Sequence, residues 1–113
     1  MSILVNLEAS NKEDWIIQFS AKTDDTNEDI VWTGAVINFK MKDNEGSTLL
    51  EASTASGTIT IVDPLVVQIS IAESLMNAVD AGSYPIGCVY QLNSITAQAF
   101  VGTASIYEGV ALL

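Results

Sequence analysis

The sequence predicts an all-β fold, an antiparallel β-sandwich of about seven or eight strands with one short helix. Apolar and polar residues alternate with period two along most of the chain, as in strands that bury one face and expose the other. Turn residues separate these runs at the short spacing that is typical of sandwiches. The 113 residues are enough for one core, and we expect residues 1–113 to form a single domain.

The alternation assigns an inward face to each run in turn. The first two inward sets are Trp15, Ile17, Phe19 and Ala21, followed by Ala35, Ile37, Phe39 and Met41. The runs Thr58–Val62 and Leu65–Ile71 come next, joined by a turn at Asp63-Pro64, where Pro fixes φ and Asp can bond its own backbone. Tyr84–Leu92 and Ala99–Tyr107 are the last two predicted strands. Phe39 lies in the middle of its inward set, so we expect it to be almost fully buried.

One segment favours a helix, and three others favour turns. Ala72–Val79 could form about two helical turns, which Gly82 would end because glycine takes positive φ without steric cost. The predicted turns lie at Asp24–Asp29, Asp43–Gly46 and Asn93–Thr96.

The charge balance excludes several classes of function. The chain has 4 Lys and Arg against 14 Asp and Glu, a net charge of −10, and no basic residue after Lys42. Nucleic acids and anionic membranes both require Lys or Arg to neutralise phosphates, so we expect neither as a partner. The chain has no His, which removes imidazole catalysis and the commonest metal ligand. No apolar run approaches the roughly 20 residues of a membrane span.

The surface is expected to carry unusually little charge. Only 16% of the residues are charged, whereas Ser, Thr, Asn and Gln number 31. Free-standing domains generally expose more charge. Two interpretations stay open: either other subunits cover part of the surface, or the surface is polar and neutral.

The order of these signals resembles a known family. Trp32-Thr33-Gly34-Ala35 leads into a strand, Gly57-Thr58-Ile59 and Val66–Ile71 follow, and Ala81-Gly82-Ser83-Tyr84 comes before a last strand with Gly102 near its middle. This pattern resembles the immunoglobulin-like structural domains of tailed-phage virion proteins, such as the N-terminal domain of the baseplate upper protein, and related prophage modules. The resemblance covers residues 15 to about 110. It departs at Pro85 and at the apolar C-terminus.

The resemblance implies an immunoglobulin-like antiparallel β-sandwich and a non-enzymatic structural role in the particle, in capsid decoration, a head fibre, the tail or the baseplate. The chain would be made in the bacterial host cytoplasm and located in the virion, bound to other virion proteins and as a homo-oligomer. The family implies no catalytic residues.

Apolar residues near both ends of the chain, and one tryptophan, are the candidate contacts. Val110–Leu113 either fray in water or dock on a neighbouring chain, and we expect docking because apolar area is then buried. Trp32 stands before a Thr-Gly turn, which leaves its exposure open. The candidate partner-contact residues are Ile3, Leu4, Val5, Trp32, Val110, Ala111, Leu112 and Leu113.

No metal, cofactor or catalytic site is expected. Asp25-x-Asn27-x-Asp29 imitates the start of a calcium loop, but Ile30 and Val36 replace the required Gly and Glu. Glu51 and Glu108 occupy strand positions that nothing in the sequence brings together. Cys88 aligns with inward-facing residues, which indicates a buried small apolar side chain rather than a nucleophile.

The alternative function is a carbohydrate-binding or cell-surface adhesion module. Trp15, Trp32 and Tyr107 would then form a sugar-stacking platform. This function requires exposed aromatic rings on one face, whereas Trp15 shares its face with apolar residues, which favours the core.

Overall fold

Eight strands and one short helix make up the protein in the computed structural model, which describes residues 3–20 and 28–108, and of residues 3–5 the backbone only. The elements are β1 (Ile3–Ser10), β2 (Trp15–Phe19), β3 (Val36–Lys42), β4 (Thr48–Ser53), β5 (Ile59–Asp63), β6 (Val66–Ile71), α1 (Glu73–Met76), β7 (Gly82–Leu92) and β8 (Ile95–Tyr107).

The strands form two sheets that pack as a sandwich. The larger sheet has the order β1-β8-β7-β3-β4, and the smaller has the order β2-β6-β5. The neighbours β8-β7-β3 and β2-β6-β5 match the G-F-C and B-E-D strands of immunoglobulin-like domains. The fold class predicted from the sequence is therefore confirmed.

The first strand departs from the antiparallel pattern. β1 pairs with β8 in parallel register from Ile3–Phe100 to Ser10–Tyr107, while the other strand pairs in the described chain are antiparallel. The chain leaves β1 in the larger sheet and enters β2 in the smaller one. This crossing lets the first strand run beside the last strand in the same direction. The sequence analysis did not assign β1 to a strand, and of β4 it placed only Glu51 at a strand position.

Local polar contacts form the hairpin turns between strands. Asn93 and Ser94 both have positive φ, 53° and 66°, which is the conformation of a two-residue type I′ turn and matches the twist of the flanking strands. The carboxylate of Asp63 accepts a backbone N–H at 3.0 Å, and that of Asp43 accepts two, at 2.8 and 2.9 Å. The predicted turns at Asp63-Pro64, Asp43–Gly46 and Asn93–Thr96 are confirmed. Residues 24–27 of the fourth predicted turn lie outside the described residues.

The helix is shorter than predicted. It spans Glu73–Met76 instead of Ala72–Val79, because the N–H groups of Ala78 and Val79 bond to carbonyls three residues back, which tightens the chain into a turn. Gly82 does not end it. This glycine has φ 159°, close to extended, and begins β7.

A chain of edge-to-face and tilted aromatic rings crosses the core between the sheets. Its order is Trp15, Phe39, Phe100, Phe19, Trp32 and Tyr90, with neighbouring ring centroids 4.9 to 6.1 Å apart. Each such pair contributes about 0.5–1.5 kcal/mol beyond the area that it buries. The rings come from both sheets, so they hold the two layers in one relative position.

A tyrosine fixes the turn between α1 and β7. The Tyr84 hydroxyl donates a hydrogen bond of 2.6 Å to the carbonyl oxygen of Asp80, four residues earlier. This contact is the tyrosine corner that immunoglobulin-like sandwiches place at the start of the corresponding strand. Gly82 lies beside this ring, and a Cβ there would be in van der Waals contact with it, 3.4 Å from the Tyr84 hydroxyl.

The inward position of Phe39 is confirmed, because its side chain is 0% exposed. We expect Phe39→Ala to lower the free energy of unfolding by about 3–5 kcal/mol, because the substitution leaves a cavity in the middle of the ring chain. Val36→Ala, on the outward face of the same strand, should change it by less than about 0.5 kcal/mol. Urea denaturation of both variants measures the difference. Equal losses would contradict the assigned strand phase.

We expect Tyr84→Phe to destabilise the protein by about 0.5–1.5 kcal/mol, because it removes the hydroxyl and keeps the ring. The same measurement on Tyr107→Phe provides the control, since Tyr107 is exposed on β8. A Tyr84→Phe variant as stable as the wild type would show that the corner bond contributes nothing.

Candidate functional site

Two of the three inner strands of the larger sheet carry no charge. β7 and β8 together contain 24 residues, none of them Asp, Glu, Lys or Arg. Their outward side chains are small, polar or apolar: Ser83, Pro85, Gly87, Val89, Gln91, Thr96, Gln98, Val101, Thr103 and Ser105. In a chain of net charge −10, this is a surface that a neighbouring protein can cover without desolvating ions. We call it the neutral face.

Lys40 borders the neutral face and stands among shallow depressions. Three of them, of about 460, 230 and 270 Å³, share Lys40 in their lining. The two smaller ones are also lined by Gly87, which lies opposite Lys40 in the register and has no side chain. A Cβ at Gly87 would meet only the Gln98 amide oxygen, 4.0 Å away. The amides of Asn38 and Gln98 line the same hollow, so it offers hydrogen-bond donors and acceptors to a small side chain.

The outer face of the smaller sheet is also uncharged. Its outward residues include Ile16 and Gln18 on β2, Gln68 and Ser70 on β6, and Thr60 on β5. The Gln18 amide donates to the Gln68 amide oxygen at 2.8 Å, which orders both side chains across the strand pair. Ile16 is 57% exposed at the β2 side of this polar surface. The sandwich therefore presents an uncharged surface on each outer side.

The partner contacts predicted for the apolar terminal residues stay a prediction. Ile3, Leu4 and Val5 lie on β1, where the described backbone pairs with residues 100–102 of β8. Val110, Ala111, Leu112 and Leu113 lie outside the described residues.

The prediction that Trp32 contacts a partner is wrong. Its side chain is 0% exposed, with the ring packed between Phe19 at 5.6 Å and Tyr90 at 4.9 Å. The backbone explains this position. The Trp32 N–H bonds to the Pro64 carbonyl at 2.7 Å, and its own carbonyl accepts the N–H of Ala35 at 2.9 Å. These two hydrogen bonds fold the backbone around the indole ring, so that the ring points into the core.

The residues proposed for a sugar platform do not share a surface. Trp15 and Trp32 are both buried, whereas Tyr107 is exposed near the end of β8. Sugar stacking requires a ring face in contact with water, and only Tyr107 of these three offers one. This observation removes the support for the carbohydrate-binding alternative.

The carboxylates considered for catalysis lie apart. Glu51 is on β4, and Glu108 follows β8, with β3 and β7 between these strands in the sheet. The Asn11 amide donates to the Glu108 carboxylate and to the Val79 carbonyl, so this acid takes part in a structural contact. Within residues 3–20 and 28–108, no group of three His, Cys, Asp or Glu side chains could hold a metal ion. Asp24, Asp25 and Asn27 of the calcium-like loop lie outside those residues.

Cys88 is a buried core residue, as predicted. It lies opposite Phe39 on β3 and Phe100 on β8. Burial raises the pKa of its thiol from 9.0 to about 12 by desolvating the thiolate. The side chain thus stays a neutral thiol through the physiological range and packs as a small apolar group.

The sequence analysis missed the residues that define these surfaces. Gly87, Lys40 and Ile16 each fall on the outward side of a predicted strand, and outward residues were treated as solvated. The usable signal was the charge pattern, because no charged residue occurs between Asp80 and Glu108. A segment of this length without charge indicates a surface that a partner covers only when its strands are known to be inner strands of a sheet.

The fold and its surfaces define an immunoglobulin-like β-sandwich with an uncharged region on the outer side of each sheet. No family model matches the chain, and no curated protein matches it at a significant level. Among solved structures, it is similar to the crystal structure of CopC from Methylosinus trichosporium OB3b, with 14% sequence identity and a TM-score of 0.49. The alignment covers 97% of this chain and 91% of that one. Within the described residues, no helix is long and apolar enough to cross a membrane.

We expect the pKa of Cys88 to make stability fall at high pH. In the unfolded chain the thiol ionises near pH 9, whereas in the folded chain it ionises near pH 12, so between these values the unfolded state binds fewer protons and is favoured. The stability difference between wild type and Cys88→Ala should be constant below pH 8 and shift against wild type above pH 9. Urea denaturation from pH 7 to 10.5 measures it. A constant difference throughout would show that the thiol is not desolvated.

Proposed function

We propose that this chain is a non-enzymatic structural component of a tailed-bacteriophage particle, on the capsid surface or in the tail or baseplate. It acts through protein–protein contact. Its partners are other virion proteins and further copies of itself, and its place is the assembled virion. The proposed location in a phage particle is supported by the sequence pattern that resembles tailed-phage domains. The proposed mode of action, protein–protein contact, is supported by the surface of the sandwich.

The neutral face is the observation that carries this proposal. The core of a protein interface is depleted of charged residues, while its rim is polar. The outward side of β7 and β8 has this composition, and Lys40 and Glu51 lie beside it on β3 and β4. At about 3.3 Å per residue and about 4.8 Å between strands, β7 and β8, with 11 and 13 residues, give the neutral face an area of about 400 Å². This is roughly half of the 800 Å² that a stable interface buries on each partner, so the neighbouring strands supply the rest of the contact.

Particle composition tests the proposed location directly. Mass spectrometry of phage particles, purified from the bacterium that carries the gene, should find the chain at a fixed, stoichiometric number of copies. Partial disassembly into capsids and tails then shows which part retains it. Particles that lack the chain, or that carry only traces which washing removes, would refute the proposal.

A charge placed on the neutral face tests the mode of action. We expect Thr103→Glu to lower the number of copies per particle at least about tenfold, because a carboxylate in a covered surface loses its hydration without gaining a partner. Asn44→Glu adds the same charge in the exposed β3–β4 turn and should leave the copy number unchanged. Urea denaturation of both variants separates this effect from a loss of folding. Equal incorporation of the two variants would show that the neutral face is not the contact.

A further inference from the structure

The smaller sheet ends in a strand that carries no protection at its edge. Among the described strands, β2 pairs with β6 alone and occupies the end of the order β2-β6-β5. Its sequence, Trp15 to Phe19, contains no charge, no Pro and no Gly, and its register with β6 has no bulge. A regular, uncharged edge strand is a template on which another strand can pair.

The other edges of the two sheets are protected. The pairing of β4 is interrupted by a bulge, and this strand carries Glu51. The pairing of β5 is likewise interrupted, and this strand ends at Asp63-Pro64. Strand β1 carries the exposed Glu8. Charges, prolines and bulges of this kind are the means by which proteins prevent edge pairing, and β2 has none of them.

The hydrogen bonds of β6 fix the direction of the free groups on β2. Ser70 donates its backbone N–H to the Thr58 carbonyl at 2.9 Å, on the side of β5. Ile16 lies opposite Ser70, so its own N–H and C=O point away from β6, toward the free edge. The alternation of antiparallel pairs gives Gln18 the same direction. Two donors and two acceptors thus face outward along the edge.

Within residues 3–20 and 28–108, the side chains leave the sandwich open at this edge. Ile17 and Phe19 point inward, yet both are partly exposed, whereas Ile69 and Val67, opposite them on β6, are 0% exposed. The smaller sheet has three strands against five in the larger one. One more strand beside β2 would cover the exposed edges of both inward side chains.

We propose that β2 pairs antiparallel with β2 of a second copy of this chain, across a twofold axis at Ile17. Ile16 of each copy then lies opposite Gln18 of the other, and the two pairs exchange four backbone hydrogen bonds. The smaller sheets join into one of six strands, β5-β6-β2-β2-β6-β5. The inference rests on the proposed assembly function and adds to it the identity of one contact.

Charge and symmetry favour a second copy as the occupant. Two chains of net charge −10 repel each other, and the outward side chains of β2 and β6 are a place where they can meet without apposing carboxylates. The strand is also self-complementary. In the antiparallel pairing the inward residues of both copies stay on the core side, and each Ile16 packs beside an uncharged Gln18. The contact is smaller than that of a stable dimer, so it is reversible.

Sedimentation equilibrium and amide hydrogen exchange test this contact on the full chain. The mass should rise with concentration from 12.0 kDa toward twice that value. The amides of Ile16 and Gln18 should gain protection as concentration rises, while the amide of Ile17, bonded to β6, stays protected throughout. A constant mass, or exchange at Ile16 and Gln18 that is independent of concentration, overturns the proposal.

Matched lysine variants identify the strand. Ile16→Lys should weaken dimerisation by roughly tenfold, whereas Thr60→Lys, on the same outer face but on β5, should not. Both variants lower the net negative charge equally, so general repulsion cannot explain a difference. Equal behaviour of the two variants overturns the pairing. If the wild-type chain is monomeric in solution but present in particles at its normal copy number, only the dimer is refuted. If the chain dimerises in solution but is absent from particles, only the particle role is refuted.

Discussion

The contact between the two sheets is made by aromatic rings rather than by a covalent bond. With one cysteine in the chain, no intrachain disulfide can link the layers, as it does in antibody domains. Trp15 and Phe19 on β2 instead interlock with Phe39 and Phe100 of the larger sheet. Edge-to-face rings fit in one arrangement only, so they fix the angle and offset of the sheets as well as their separation. The other features of the molecule depend on this alignment.

Because the aromatic rings occupy the inner faces of the two sheets, the outer faces are the surfaces available for contact with a partner. The ionic groups are concentrated in turns and on outer strands, as with Asp43 and Asp63, whose carboxylates bind backbone N–H groups. Strands β7 and β8 are then free to carry none. A surface made of Gly87, Val89 and Thr103 has little attraction for water beyond its backbone and hydroxyl groups. Covering it costs less than covering an average patch of a protein of this charge.

The sequence predicted the parts of the structure that follow from side-chain alternation. The burial of Ile37, Phe39 and Met41 follows from period two alone. Trp32 lies outside a periodic run, and its burial depends on a bond to the distant carbonyl of Pro64, which no local pattern encodes. Strand β1 was missed for a related reason, because its pairing with β8 joins the two ends of the chain. The sequence shows that a long segment of the chain lacks charge, but only the strand order shows that this segment forms a surface.

The unequal width of the sheets explains why one edge is left open. In the larger sheet, β1 and β4 are the edge strands, and Glu8 and Glu51 keep them in water. In the smaller sheet, β5 bears Asp63 and Pro64, but the residues of β2 are committed to the core. Trp15 and Phe19 must hold the ring chain, so the strand cannot accept a bulge that would turn them outward. Ile16 and Gln18 are the positions at which a protecting charge could stand, and neither has one. The same strand that aligns the sandwich therefore keeps a straight, neutral edge available for pairing.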